Sequence, residues 1–240
     1  LLLVGTGGCR EAEPRAETPV EPVHVVATDT GMRLQVDGRD FMVNGMNWDY
    51  FPRGTNYAFI PWDEPDDVIE EALEREMSLL QTAGVNAIRQ YVGIPPRWVA
   101  YIWREYGIYT VLNHPLGRYG VTLDGAWVSP TDYSDPRAQD QLVSEVTEMA
   151  EQFKDTPGVL MWLLGNENNY GLVWSSAETE ALPEGERDET RARWLYKTFG
   201  LATSAIKQVD TLRPVAMANG DLQYLDLNPE TGPRTNLNLP

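Results

Sequence analysis

The stretch 158-GVLMWLLGNENNYG-171 decides the fold of this chain and locates its chemistry. Six apolar residues, 159–164, have the length and composition of a strand buried in a sheet. Gly165 and four polar residues follow directly, namely Asn166, Glu167, Asn168 and Asn169. An apolar run followed directly by polar residues predicts a strand of a parallel sheet that is covered on both faces, with functional side chains at the carboxyl end of the strand.

A repeating order of strand, loop and helix extends on both sides of this stretch. Strands are predicted at 41–47, 85–91, 107–113, 158–166 and 213–220. The helices between them are predicted at 65–83, 96–106, 136–153 and 188–209, where apolar residues recur every three or four positions. Ser134 or Asp135 is expected to cap the third helix. Alternating apolar residues around Asp37-Gly38 predict a β-hairpin before the first strand.

Two architectures fit this alternation, a doubly wound open sheet and a (β/α)8 TIM barrel. A doubly wound sheet would end its first strand in a glycine-rich turn, but Asn47 opens a long aromatic loop instead. Polar or aromatic residues also follow every other strand, as expected where strand ends share one mouth. The α/β fold is therefore interpreted as a partial TIM barrel of about five strands, preceded by the hairpin. Because a barrel takes ~250 residues, we expect the chain to be part of a longer protein.

Composition restricts the ligand. The net charge of −17 argues against nucleic acid and against polyanions, and is compatible with a neutral substrate. Eight Trp and eleven Tyr suit sugar-binding clefts as well as cores. One Cys and two distant His make a zinc site improbable, and no phosphate-binding loop or dinucleotide spacing is present, so neither a metal nor a cofactor is predicted.

The amino-terminal residues resemble the end of a bacterial lipoprotein signal peptide. Residues 1–9 combine a short apolar piece and small residues with Cys9, the residue that would be lipidated. Residues 10–30 are predicted to be a flexible tether, and residues 31–240 the amino-terminal part of the barrel domain. The expected location is the bacterial cell envelope, lipid-anchored or secreted, with no membrane contact besides the anchor.

Glu167 is the candidate for chemistry. A carboxylate at the end of a buried strand loses hydration, which raises its pKa and suits it to general acid catalysis. The neighbouring asparagines can bond neutral hydroxyl groups, as a sugar requires. The alternative is a glutamate that caps a loop or pairs with Arg89.

Four segments resemble the retaining TIM-barrel glycosidases, most closely glycoside hydrolase family 2 and secondarily family 5. They are VDGRDFMVNGMNWDYFPRG, LLQTAGVNAIRQY, GVLMWLLGNENNYG and VDTLRPVAMANGD, in this order. The resemblance covers about residues 33–221. The chain departs from family 2 galactosidases and glucuronidases in having no room for the preceding β-sandwich domains.

The resemblance implies roles for particular residues. Glu167 would be the acid/base, Asn166 would bond the sugar 2-hydroxyl and Arg89 would steady the nucleophile. Substrate contacts are further expected at the strand ends and mouth loops, from His114, Asn47, Trp48, Trp127 and Trp174; for His114 the alternative is packing under a loop. The family's nucleophile follows the seventh strand and would lie beyond residue 240. Asp49 and Asp221 are possible second carboxylates that do not match this position.

The predicted function is hydrolysis of O-glycosidic bonds in a neutral oligo- or polysaccharide by a retaining two-carboxylate mechanism. In this piece the nucleophile would be missing, so the piece by itself is expected to be inactive. The alternative is a non-catalytic carbohydrate-binding lipoprotein on a degenerate barrel.

Overall fold

The computed structural model describes residues 20–220, apart from residues 57, 92 and 173. The predictions for Cys9, for the signal segment and for Asp221 therefore fall outside the described residues. The strands are β1 Val23–Thr28, β2 Gly31–Val36, β3 Arg39–Asp40, β4 Gly45–Asn47, β5 Ala87–Tyr91, β6 Tyr109–His114, β7 Val121–Leu123, β8 Ala126–Val128, β9 Val159–Leu164 and β10 Val215–Met217. The helices are α1 Asp66–Thr82, α2 Pro96–Tyr106, α3 Pro136–Phe153, α4 Ala177–Glu180 and α5 Glu184–Val209, with short 3-10 helices at Pro61–Asp63 and Asn168–Gly171.

Five strands form one parallel sheet in the order β10-β9-β6-β5-β4. Each strand pairs with the parallel strand that precedes or follows it in the chain, so the order never reverses as it would in a doubly wound sheet. This topology confirms the prediction of a partial TIM barrel.

The helices cover the outer face of this sheet and begin and end close to the predicted positions. Asp135 is the cap of α3 and accepts a hydrogen bond from the Arg137 backbone N–H at 2.9 Å. Gly107 ends α2 in the left-handed conformation, with φ of 67°. The main core lies between the sheet and α1, α2, α3 and α5 and includes Met77, Ile102, Leu142, Trp162 and Leu195. None of the helices in the described part of the chain has the length and apolar character that a membrane crossing requires.

The amino-terminal end of the sheet is covered by a small antiparallel sheet of β1, β2 and β3. The predicted hairpin is confirmed, and its turn places Asp37 and Gly38 at positive φ. The tether prediction for residues 10–30 is wrong for its last part, because Val23–Thr28 forms β1. Val23 packs in a second apolar cluster with Ala87 and Leu160, which fixes this strand against the barrel.

A buried polar network, here called the base network, joins the α5–β10 turn to the start of β9. Arg213 and Asp210 form an ion pair at 2.9 Å with almost no side-chain exposure. The Arg213 guanidinium also donates to the backbone carbonyls of Lys154, Thr156 and Val159. Trp162 donates its indole N–H to Asp210 at 2.8 Å, so the network locks β9 and β10 together.

A second hairpin, β7–β8, was not predicted. It lies in the long connection between β6 and α3, where the strands are only three residues long and carry no extended alternation. Asp124 and Gly125 form its turn, both with positive φ. This hairpin stands beside the carboxyl end of the parallel sheet through its packing on α3 and its link to β6.

Candidate active site

Polar side chains gather at the carboxyl end of the parallel sheet. Asn47 pairs in register with Arg89, and Asn113 pairs with Tyr91 on one side and with Leu163 on the other. Side chains alternate between the two faces of a strand, so Asn47, Arg89 and Asn113 all point to the face opposite the helices. This face corresponds to the interior of the barrel.

Arg89 and Asn113 form the centre of the site. The Arg89 guanidinium donates from Nε to Asn113 Oδ1 at 2.6 Å and contacts the same oxygen through Nη2. The Asn113 amide group donates to the backbone carbonyls of Leu163 and Gly165, at 3.0 and 2.9 Å. Asn113 is fully buried, so it holds Arg89 in a fixed position relative to the end of β9.

Asn166 extends this network to the loop after β9. Its Oδ1 accepts from Arg89 Nη2 at 2.9 Å, and its Nδ2 donates to the Tyr119 hydroxyl at 2.8 Å. Its backbone carbonyl accepts from Arg118 Nε at 3.0 Å, and its backbone N–H donates to Asn168 Oδ1 at 2.6 Å. Four neighbours therefore fix the position of Asn166, and its side chain remains half exposed.

Glu167 stands next to this fixed residue in an uncommon backbone conformation. Its φ of 58° and ψ of 36° are left-handed, which a non-glycine residue adopts only when its surroundings hold it there. The backbone N–H donates to the carbonyl of Ala218 after β10, at 2.8 Å. The loop thus turns sharply at Glu167.

Among the described residues, the side chain of Glu167 is exposed. The alternative of a pair with Arg89 is not observed. Within the described residues, Arg89 has only amide and hydroxyl oxygens as partners, from Asn113, Asn166 and Tyr91. The carboxylate is therefore available to a ligand.

The other two asparagines of the stretch support the loop. Asn168 is buried and donates to the Tyr133 hydroxyl at 2.9 Å and to the Leu116 carbonyl at 3.0 Å. Asn169 is also buried and exchanges two hydrogen bonds with the backbone of Gly220. Gly165 has φ of 82°, and a Cβ there would lie 2.7 Å from Asn168 Oδ1. Asn168 and Asn169 are thus buried supports of the loop, whereas Asn166 and Glu167 are accessible at its surface.

His114 is on the opposite, helix-facing side of β6. It is buried, its Nδ1 accepts from the Leu116 backbone N–H at 3.1 Å, and its Nε2 lies 3.4 Å from a Glu145 carboxylate oxygen on α3. This contact lowers the pKa of Glu145 below its usual value, and the Gln141 side chain acts in the same direction against the effect of burial. Both ring nitrogens face protein groups, which is the placement expected for packing under a loop.

The tryptophans predicted to contact sugar differ in exposure. Trp48 is buried in the main core, with its ring centroid 6.1 Å from that of Trp62. Trp174 is buried against Tyr133, at 5.3 Å between ring centroids. Trp127 is 63% exposed on β8, and Asn47 is also exposed. Only the exposed residues of this set present a surface to a ligand.

Three residues at the mouth were missed at the sequence level as ligand contacts: Tyr91, Arg118 and Tyr119. Tyr91 has its pKa raised by partial burial and by the nearby charges of Glu167 and Asp49, against the opposing charge of Arg89. Tyr91 was expected at the mouth from its position at the end of a predicted strand, but not as a ligand contact. Arg118 and Tyr119 lie in an irregular connection without a periodic signal.

The family model of the glycosyl hydrolases family 2, TIM barrel domain, matches residues 30–229 of this chain. A β-galactosidase of Lactococcus lactis is 25% identical over 156 residues, covering 65% of this chain and 14% of that protein. A β-galactosidase of an Arthrobacter species is 32% identical over 159 residues, covering 62% of this chain and 15% of that protein. The chain thus spans a small part of the length of the curated relatives that it matches.

Solved structures show the same fold at low sequence identity. β-Glucuronidase 2 of Bacteroides uniformis superimposes with a TM-score of 0.53 at 14% identity, over 83% of this chain and 21% of that protein. A family 2 β-galacturonidase of Eisenbergiella tayi gives a TM-score of 0.52 at 16% identity, over 83% and 28%. With the family model matching most of the sequence, these findings show that the chain belongs to glycosyl hydrolase family 2, as part of its TIM-barrel domain.

Proposed function

We propose that this chain carries the acid/base half of a retaining glycosidase that hydrolyses O-glycosidic bonds of a neutral carbohydrate. Glu167 protonates the leaving glycosidic oxygen and then removes a proton from the attacking water. Asn166 bonds the 2-hydroxyl of the sugar, and Arg89 binds the carboxylate of the nucleophile. The nucleophile is supplied by a strand that follows β10 in the complete barrel.

The observation that carries this proposal is the separation of roles within Gly165–Asn169. The two buried asparagines and the Arg89–Asn113 network fix the loop, while Glu167 is exposed and has no cation partner among the described residues. A glutamate that merely capped the loop would place its oxygens on backbone N–H groups. The described residues show no such hydrogen bond from the Glu167 side chain, so its carboxylate serves a group outside the loop.

The charge of Arg89 also supports the proposed glycosidase mechanism. It is partly buried, and its partners in the described part of the chain are neutral. A guanidinium held by amide oxygens retains its positive charge for a further anionic partner, which a nucleophilic carboxylate would provide.

The experiment is Glu167→Gln in a protein that carries the complete barrel. Loss of the general acid costs roughly 10²- to 10⁴-fold in rate for glycosides with poor leaving groups. Activated aryl glycosides should keep their first step, and deglycosylation should become limiting. Added azide, which needs no general base, should restore turnover and give a glycosyl azide of retained configuration.

The matched control is Glu189→Gln, the same substitution at an exposed carboxylate on α5, where Glu189 pairs with the exposed Arg193. This variant should show no azide-dependent turnover. Equal loss on all substrates by Glu167→Gln, without azide rescue, would remove Glu167 from the acid/base role. Carbohydrate binding by a complete barrel that hydrolyses no glycoside would favour the alternative of a non-catalytic binding protein.

We also propose that Cys9 is lipidated and anchors the protein in the bacterial cell envelope. The support is the apolar and small residues before it and the Pro- and Glu-containing segment after it. The protein should partition with membranes, and Cys9→Ala should release it into the soluble fraction. Equal partitioning of both proteins would contradict the anchor.

A further inference from the structure

The connection between β6 and α3 forms one side of the mouth. We call residues 117–131 of this connection the mouth wall. Both of its ends are tied down, because Thr131 donates its hydroxyl to the Gly117 carbonyl at 2.7 Å and the Tyr133 hydroxyl donates to the Leu116 carbonyl at 2.7 Å. Asn168 joins the same cluster through Tyr133. The wall therefore rises from a fixed base beside the Glu167 loop.

The wall contacts the site directly. Arg118 donates to the backbone carbonyl of Asn166, and the Tyr119 hydroxyl accepts from its side chain. No other described element bonds both the backbone carbonyl and the side-chain amide of Asn166. A ligand that reaches Asn166 consequently meets Tyr119 as its next neighbour on this side.

Trp127 stands on the same wall, next to Gly120, the residue that follows Tyr119. Its ring lies against the backbone of Gly120, where a Cβ would fall 2.5 Å from Cζ2 of the indole. Gly120 is therefore required for this close approach. Trp127 pairs with Thr122 across the hairpin, while the neighbouring Val121 faces the core and is 2% exposed. Val121 is thus buried, and the indole lies on the opposite face of the hairpin.

The exposure of Trp127 is unusual within the described part of the chain. Trp48, Trp98, Trp162 and Trp174 are buried in the main core, whereas Trp127 is 63% exposed. Tyr119 is 56% exposed beside it. A fixed and exposed indole offers a flat apolar surface at low entropic cost, because its position is set before a ligand binds.

Polar groups accompany this surface. Between Arg118, Tyr119, Ser129 and Thr131 lies an open pocket of about 240 Å³. Arg118 uses Nε for Asn166 and has no carboxylate within ion-pair distance among the described residues. Its remaining N–H groups can donate to hydroxyl oxygens. Alternating flat apolar surface and hydrogen-bond donors match a pyranose, which has apolar faces and hydroxyl groups around its edge.

We propose that the mouth wall is a second sugar-binding subsite, so that the substrate is a carbohydrate of at least two linked sugars. One sugar is held at Asn166, and the next stacks on Trp127 and bonds to Arg118. This inference rests on the proposed function for the position of the first sugar. It adds that selectivity for chain length lies in the β6–α3 connection.

The test is calorimetric binding to the complete barrel in a Glu167→Gln background, so that no result depends on turnover. The probes are β-1,4-linked glucotetraose and galactotetraose, each compared with its methyl β-glycoside. The tetraose of the preferred sugar should bind about tenfold more tightly than the methyl glycoside, and Trp127→Ala should remove that difference. Trp127→Phe should retain most of it.

The matched control is Trp194→Ala, which removes an indole from the outer surface of α5, where it bonds Glu178 and lies under Lys197. This variant should bind the tetraose as the parent does. The inference is overturned if Trp127→Ala binds the tetraose undiminished, if the tetraose gains nothing over the methyl glycoside, or if neither tetraose binds. Trp127-dependent binding by a protein that, with Glu167 restored, hydrolyses no glycoside would support the subsite and contradict the proposed activity.

Discussion

Two arginines at opposite ends of the sheet are used in different ways. Arg213, in the base network, is 1% exposed and is paired with Asp210 and three backbone carbonyls. Arg89, at the mouth, is partly buried and is held by Asn113, Asn166 and Tyr91. The first charge is neutralised within the described structure, and the second is positioned by neutral groups.

The difference is that Arg213 has a buried counter-charge, whereas Arg89 has none among the described residues. A buried guanidinium without a counter-charge is costly, so Arg213 needs Asp210. Arg89 faces the interior side of the sheet and is only partly buried. Its amide partners fix its direction without cancelling its charge.

Breaking the base network should have the largest effect on stability. Arg213→Met leaves Asp210 buried without its counter-charge and should lower the free energy of unfolding by about 3–5 kcal/mol. Urea unfolding of the complete protein measures this loss. The double variant Asp210→Leu/Arg213→Met should recover part of it, because no unpaired charge remains. A loss below about 1 kcal/mol in the single variant would mean that the pair is not essential to the fold.

Substitution of Arg89, at the mouth, should reduce activity strongly and stability only slightly. Arg89→Gln keeps one donor for Asn113 and should change the free energy of unfolding by only about 1 kcal/mol. The rate on aryl glycosides should fall on the order of 10²-fold, because a preorganised cation beside the nucleophile is lost. Steady-state kinetics and urea unfolding are measured on the same preparation. Full activity together with a large loss of stability would make Arg89 a second structural arginine.

Most of the strands and helices that carry these two arginines could be predicted from the sequence. The five parallel strands, the helices and the hairpin at Asp37-Gly38 follow from local apolar patterns and turn residues. The motif that contains Asp210 and Arg213 was noticed through its resemblance, but its role was not. Its partners at 154, 156 and 159 lie more than fifty residues earlier, and such contacts leave no periodic pattern.

Predictions for the candidate site were only partly successful, because several of its features depend on contacts between distant segments. Glu167, Asn166 and Arg89 were placed together because they lie at the carboxyl ends of strands in one parallel sheet. The left-handed conformation of Glu167 was not predicted, because the loop is held by contacts with segments distant in the chain. Arg118, Tyr119 and the exposure of Trp127 depend on a hairpin too short to be recognised. The whole of β1 was assigned to the tether because its stability comes from pairing with β2 and packing on Leu160.

The sequence by itself determined the order of the five parallel strands and the four long helices, the resemblance to family 2, and the position of a glutamate among asparagines after β9. These features depend on residues adjacent in the chain or spaced at a helical or strand period. Only the tertiary structure decided that Asn168 and Asn169 are buried and support the loop, while Asn166 and Glu167 remain accessible at the mouth. Four chemically similar neighbours differ there because each meets different partners from distant segments, and burial follows from those partners rather than from the local sequence.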